Sequence, residues 1–193
     1  MSNTLPLFQQ YTPYDTKIVK TATLYGLYLI GGTAIDLLCR YYSVPFWRSR
    51  SNNDLDFWTT YDNSHKDRFI RHIKRTLGFV VKEDSDYMLS LESSTIHTDT
   101  DILIDYDRNN SKFGYTINDI KVMSPIYLFA SKFDRYVNCN NTRRKTTDFK
   151  DLQTLLLLIE RINGFDELEN HLSALNYDQR AEDALNDIIA SMI

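Results

Sequence analysis

Apolar positions recur at helical spacing over residues 14–26, and the period then changes: residues 27–30 are a short apolar run that stops at Gly31-Gly32. The pattern predicts helix, strand and turn. Thr33 is placed to cap a second helix, whose apolar positions Ile35, Leu37 and Leu38 run into Tyr41 and Tyr42 before Pro45 stops it. A polar stretch over residues 47–53 leads into Asp54-Leu55-Asp56-Phe57-Trp58. Acidic and apolar residues alternate there at the strand period of two, which puts both carboxylates on one face. Residues 65–77 return to the helical period with Phe69, Ile70, Ile73 and Leu77 on one stripe, and Gly78 closes the helix.

Three further strands are predicted over residues 79–82, 87–91 and 100–106, and a fourth over Ile120–Met123. Ser124-Pro125 supplies a cap and a first-turn proline for a helix through Val137. A loop over residues 138–142 precedes a long helix from about 147 to 162, with Leu152, Leu155, Leu156 and Ile159 on its buried side, and two shorter helices follow Gly164. The order of elements predicts an α/β (α+β) protein: a head over residues 1–123 with a mixed, partly antiparallel sheet, then an α-helical part over residues 124–193, the two facing across a cleft. No internal repeat or low-complexity segment interrupts this order.

Composition narrows the class. A 42% hydrophobic content with 13 Tyr, 10 Phe, 6 Gly and 4 Pro describes a packed chain able to bury a core, not a disordered or fibrous one. No apolar run approaches the ~20 residues that cross a bilayer, and the first ten residues lack the basic-then-apolar layout of a signal peptide, so a cytoplasmic location is expected. Cys39 and Cys139 have neither CxxC spacing nor nearby His and read as separate reduced thiols. The net charge of −4 argues against generic coating of nucleic acid and makes any phosphate contact local. Basic clusters lie at Arg48 and Arg50, over residues 66–75, and at Arg143, Arg144 and Lys145. The second reads as the solvated side of an amphipathic helix, whereas the third, placed in the loop between two helices, is better positioned for an RNA backbone or a nucleotide.

Two carboxylates at i and i+2 on one strand can hold Mg²⁺ (or Mn²⁺), which needs hard oxygen ligands. Asp54 and Asp56 have that spacing, and the turn at Gly31 and Gly32 lets backbone amides approach phosphate oxygens at the start of a helix. Asp101 and Asp105 share one face of a later strand and are both candidates for a third carboxylate. Lys132 on a helix could reach a triphosphate, and Asp148 and Asp151 share a helical face.

Gly31-Gly32-Thr33-Ala34-Ile35, the arginines before the strand, and Asp54-Leu55-Asp56-Phe57 resemble the GGTAL…RxSxDhD signature of the nucleotidyltransferase superfamily that includes DNA polymerase beta. Lys132 and Arg135, followed by Asp148 and Asp151-Leu152, resemble the K…R…KDxxDL segment of AbiEii-type nucleotidyltransferase toxins. The chain departs from these patterns at Asn52, where a Ser is usual, and at Thr147, where a Lys is usual; Ser51 is adjacent to the first, and Lys145 and Lys150 flank the second.

The resemblance implies a catalytic set of Asp54, Asp56, Asp101, Lys132 and Asp151, with metal held by Asp54, Asp56 and Asp101 or Asp105. It implies nucleotide binding by Gly31, Gly32, Thr33, Arg50, Ser51, Asn52, Lys132 and Asp148. The implied reaction is attack of an acceptor hydroxyl on the α-phosphate of an NTP with loss of pyrophosphate. The implied acceptor is RNA, a tRNA 3′ end, in a toxin-like enzyme held in check by an antitoxin protein. The alternatives are transfer to a protein or to a small molecule such as an aminoglycoside, and a degenerate member that binds nucleotide or a partner without catalysis.

Overall fold

The computed structural model describes residues 11–46, 54–106, 112, 114–173 and 178–192. They form two compact units, the first drawn from Met1–Ala34 and Arg50–Met123, the second from Ile35–Ser49 and Ser124–Ile193. The protein is a mixed α/β molecule, as its hydrophobic pattern predicts.

In the first unit, α1 (Pro13–Leu24) begins where Thr12 accepts from the Asp15 amide at 3.1 Å and the Asp15 carboxylate accepts from the Thr12 amide at 3.0 Å. This reciprocal cap satisfies two amides that the helix cannot. The sheet is open and mixed, in the order β3 (Val80–Asp84), β4 (Met88–Ser93), β5 (Thr98–Asp105), β2 (Leu55–Thr60), β1 (Tyr28–Leu29), β7 (Ile120–Met123), β6 (Gly114–Ile117). β2 runs parallel to β5 and β1 parallel to β7, while the remaining pairs are antiparallel. Phe57 on β2 meets Phe69 of α3 (Lys66–Leu77) at 5.8 Å between ring centroids. Phe69, Ile73 and Leu77 are the buried stripe of α3, which ends at Gly78 with φ 66°, a left-handed turn that glycine adopts without steric cost.

Strand β6 is absent from the sequence expectation. It forms a hairpin with β7 through Asn118 and Asp119, whose φ values of 47° and 64° give the two left-handed residues that a tight two-residue turn needs. Helix α2 (Gly31–Tyr42) starts at Gly31, so Thr33 lies inside the first turn and does not cap it. The Thr33 hydroxyl instead donates to the Asp54 carbonyl at 3.1 Å.

In the second unit, α4 (Pro125–Asn138) starts at Ser124, whose hydroxyl accepts from the Tyr127 amide at 3.2 Å. Helix α5 (Thr142–Arg161) begins earlier than expected, because the Asn141 side chain accepts from the Arg144 amide at 3.0 Å and caps it. Arg143, Arg144 and Lys145 therefore lie on the first turn of α5 and not in a loop. Helices α6 (Phe165–Ser173) and α7 (Gln179–Ala190) follow. Phe129, Phe133, Leu152, Leu155, Ile159 and Ile188 are buried at the centre of this unit. Among the described residues no helix is long and apolar enough to cross a membrane.

Candidate active site

Parallel pairing of β2 with β5 sets Asp56 opposite Asp101. Since side chains alternate along a strand, Asp54 and Asp56 fall on one face of β2, and Asp101 and Asp105 on one face of β5. Asp54, Asp56 and Asp101 line a single cavity of about 240 Å³ together with Lys82, Ser90 and Asp99. Asp56 is half-buried, while Asp54 and Asp101 are exposed.

Asp105 goes elsewhere. It stands opposite Thr60, and its Oδ2 accepts from the indole Nε1–H of Trp58 at 3.1 Å. Four residues of strand separate it from Asp101, roughly 13 Å.

The glycine turn meets the same carboxylates. Gly31 has φ 69°, and a Cβ there would overlap Oδ2 of Asp56. The Ile30 amide donates to the Asp56 carbonyl at 2.9 Å. Gly31 is thus glycine for two reasons, its left-handed backbone and the seat that its missing side chain leaves for Asp56. Gly32 and Thr33 continue the first turn of α2. Arg50, Ser51 and Asn52 lie outside the described residues.

Lys82 was not among the residues singled out from sequence. The register of β3 against β4 shifts between Val81 and Glu83, and such an irregularity re-aims the side chain beside it. Its Nζ lies 2.8 Å from Glu92 and 3.9 Å from Asp99. The hydrogen bond that Lys82 donates to Glu92, then the charges of Asp99 and Glu92, hold the ammonium above its ordinary pKa, so Lys82 stays charged at the cavity.

Carboxylate oxygens are the donors that Mg²⁺ or Mn²⁺ takes, and three carboxylates lining one cavity, one of them seated on the glycine turn, fit such an ion by chemistry. Among the described residues no three or more His, Cys, Asp or Glu side chains are gathered closely enough to hold a metal ion as they stand.

The second unit gathers the remaining candidates. Lys132 on α4 is buried, 7% exposed, with Nζ 2.8 Å from Asp151 Oδ2 and 3.7 Å from Asp148 Oδ1. Arg135 grips Asp148 through Nε at 2.8 Å and through Nη2. The spacing of three between Lys132 and Arg135, and again between Asp148 and Asp151, aligns two cations on α4 with two anions on α5. Both aspartates are fully buried. Lys145 lies 5.5 Å from the ring centre of Tyr136, as a cation over an aromatic face.

No family model and no curated protein matches the sequence. Solved structures do resemble it. The antibiotic-resistance factor ANT(2'')-Ia, in its complex with adenylyl-2''-tobramycin, matches with a TM-score of 0.58 at 17% identity over 84% of this chain and 97% of that one. The Megavirus polyadenylate synthase gives a TM-score of 0.55 at 14% identity over 77% of this chain, which spans 33% of the viral one. An antigenic nucleotidyltransferase-like protein from Paracoccidioides brasiliensis gives 0.54 at 13% identity over 92% of this chain and 88% of that one. At these identities the likeness is one of fold, and the fold that this chain carries is that of the nucleotidyltransferases.

Proposed function

We propose that this protein is a metal-dependent nucleotidyltransferase that moves a nucleoside monophosphate from an NTP to a hydroxyl of RNA, in the toxin-like manner implied by its AbiEii-type motifs. The observation that carries the reading is the shared cavity of Asp54, Asp56 and Asp101, with Asp56 lying on the left-handed Gly31 turn. Mg²⁺ or Mn²⁺ held by these three carboxylates would neutralise the triphosphate and acidify the attacking hydroxyl.

The chain's own groups supply the rest. Asp101, exposed at the cavity, is placed to accept the proton of the acceptor hydroxyl. Backbone amides at the start of α2, beginning at Gly31, favour phosphate oxygens. Lys82 adds a fixed positive charge against the negative charge of departing pyrophosphate. We assign Lys132, Asp148 and Asp151 to the order of the α4–α5 pair, since these buried charges satisfy one another. A toxin-like transferase also calls for a protein antitoxin as partner.

A small-molecule acceptor is the second reading. It is favoured by the match to nearly the full length of ANT(2'')-Ia, whose structure holds adenylyl-2''-tobramycin. Both readings are tested by incubating the protein with Mg²⁺ and each α-labelled NTP, in the presence of total RNA or of an aminoglycoside, beside an Asp54→Ala/Asp56→Ala variant. A discrete labelled RNA absent from the variant reaction is the expected result. Label on the aminoglycoside alone establishes the second reading, and label on neither overturns the transferase assignment in favour of a non-catalytic binder.

A further inference from the structure

Helix α3 carries Lys66, Arg68, Arg71, Lys74 and Arg75 against one acidic residue, Asp67. A solvated amphipathic helix usually interleaves its charges so that opposite signs meet at i and i+4. Here Arg68, Arg71 and Arg75 make no ion pair with any described carboxylate, although Asp67 and Arg71 have that spacing. The three exposed guanidinium groups, with His72 and Thr76 of the same helix and Tyr25 beyond the end of α1, instead line a concave pocket of about 400 Å³. Tyr25 forms one wall, its ring 6.2 Å from those of His72 and Phe69. Among the described residues no acidic side chain lines the pocket.

The layout favours an extended polyanion over a single small anion. From Arg68 to Arg75 the helix advances about 10 Å, close to three steps of a nucleic-acid strand. Arg71 and Arg75 come from the body and last turn of α3, where the helix dipole does not favour an anion, and only Arg68 lies in the first turn, so the attraction rests mainly on side-chain charge. Position adds a second constraint. Phe57 packs on α3, and Asp56, its neighbour along β2, points to the opposite face of the sheet. A ligand that reaches both the carboxylate cavity and the outer side of α3 must pass around the sheet and a helix roughly 10 Å thick. An oligonucleotide has that length, and an aminoglycoside does not.

We propose that the Arg68–Arg71–Arg75 face of α3, with Tyr25, is a binding surface for an RNA backbone that holds the acceptor strand away from the chemical step. The choice of RNA rests on the transferase reading above, whereas the pocket itself does not. The probe is a fluorescent RNA hairpin, titrated by anisotropy at several KCl concentrations with the full chain. Four proteins are compared: wild type, Arg68→Gln/Arg71→Gln/Arg75→Gln, the corresponding triple Lys variant, and Asp54→Ala/Asp56→Ala. All three arginines are exposed, so equal melting temperatures are expected and are checked first.

Loss of three phosphate contacts should lower the slope of log K against log salt by about 2–3 and weaken binding at moderate salt by about tenfold or more. The triple Lys variant should retain the slope, as should the Asp variant. Equal slopes for wild type and the Gln variant, or no RNA binding by wild type, overturn the proposal. So does full displacement of the RNA by inorganic phosphate at the same ionic strength, which marks a small-anion pocket. RNA binding by wild type and the Asp variant alike, lost in the Gln variant, with no label transferred by wild type, sinks the transferase reading and leaves this surface standing.

Discussion

Asp101 and Asp105 lie on the same face of β5, and periodicity alone leaves them equivalent, yet strand pairing separates their surroundings. Asp101 borders the cavity with Asp54 and Asp56, while Asp105 accepts from the buried indole of Trp58. Asp101→Asn should therefore lower label transfer by roughly a hundredfold or more, as expected for a group that handles the acceptor proton, at near-native stability. Asp105→Ala should keep transfer per folded molecule and cost about 1–3 kcal/mol, because the Trp58 N–H loses its carboxylate in a dry environment. Labelled-NTP transfer beside urea unfolding of both variants checks the contrast, and a reversed pattern would exchange their roles. The first half of this candidate site was readable in the sequence because Asp54, Asp56 and the glycine turn are local patterns. Lys82 escaped because its place at the cavity depends on the pairing of β3, β4 and β5 and on an irregularity in register, both of which are long-range facts.

At the scale of elements, strong periodicity and explicit caps were the readable signals. Ser124-Pro125 marks the start of α4, and the stripe of Phe69, Ile73 and Leu77 marks α3. The β6–β7 hairpin passed unseen because β6 is four residues long and its Asn118-Asp119 turn lacks the glycine that usually advertises such a turn. The early start of α5 hung on one Asn141 side chain. Within the α4–α5 pair, Lys132 and the aspartates form a buried set of ion pairs with consequences for stability. Removing one partner of a buried ion pair leaves the other charge uncompensated, at a cost of about 3–5 kcal/mol, whereas replacing both with apolar side chains can be close to neutral. Lys132→Met should thus be strongly destabilising, and Lys132→Met/Asp151→Leu should recover most of the loss in urea unfolding. Similar losses for the single and double variants would show that Lys132 and Asp151 do not compensate each other.

For the molecule as a whole, fold class was legible because length, core content and the order of periodic segments agree, but acceptor choice was not. A net charge of −4 summed over 193 residues conceals where the charge lies, and the basic α3 face became interpretable only once its concavity was visible. The chain as a whole also carries a pH signature that its composition does not show. Cys39 is 2% exposed, and its thiol is pushed up to about 12 by burial first and then by the charges of Asp36 and Asp151, against a smaller opposing effect of Arg40. The unfolded chain releases this proton near the ordinary value of 9.0, while the folded chain retains it. Above that pH the unfolded state binds fewer protons than the native one, so stability falls as pH rises. The contribution is fully present below 9.0 and is lost progressively towards about 12, with a limiting slope of about 1.4 kcal/mol per pH unit from this group. Urea midpoints measured on either side of pH 9.0 should therefore decline more steeply for the wild type than for Cys39→Ala. The variant starts from a lower midpoint because it leaves a small void, but only the slope decides. Parallel slopes would mean that Cys39 ionises in the folded chain as it does in the unfolded one, and that its burial is relieved before the molecule unfolds.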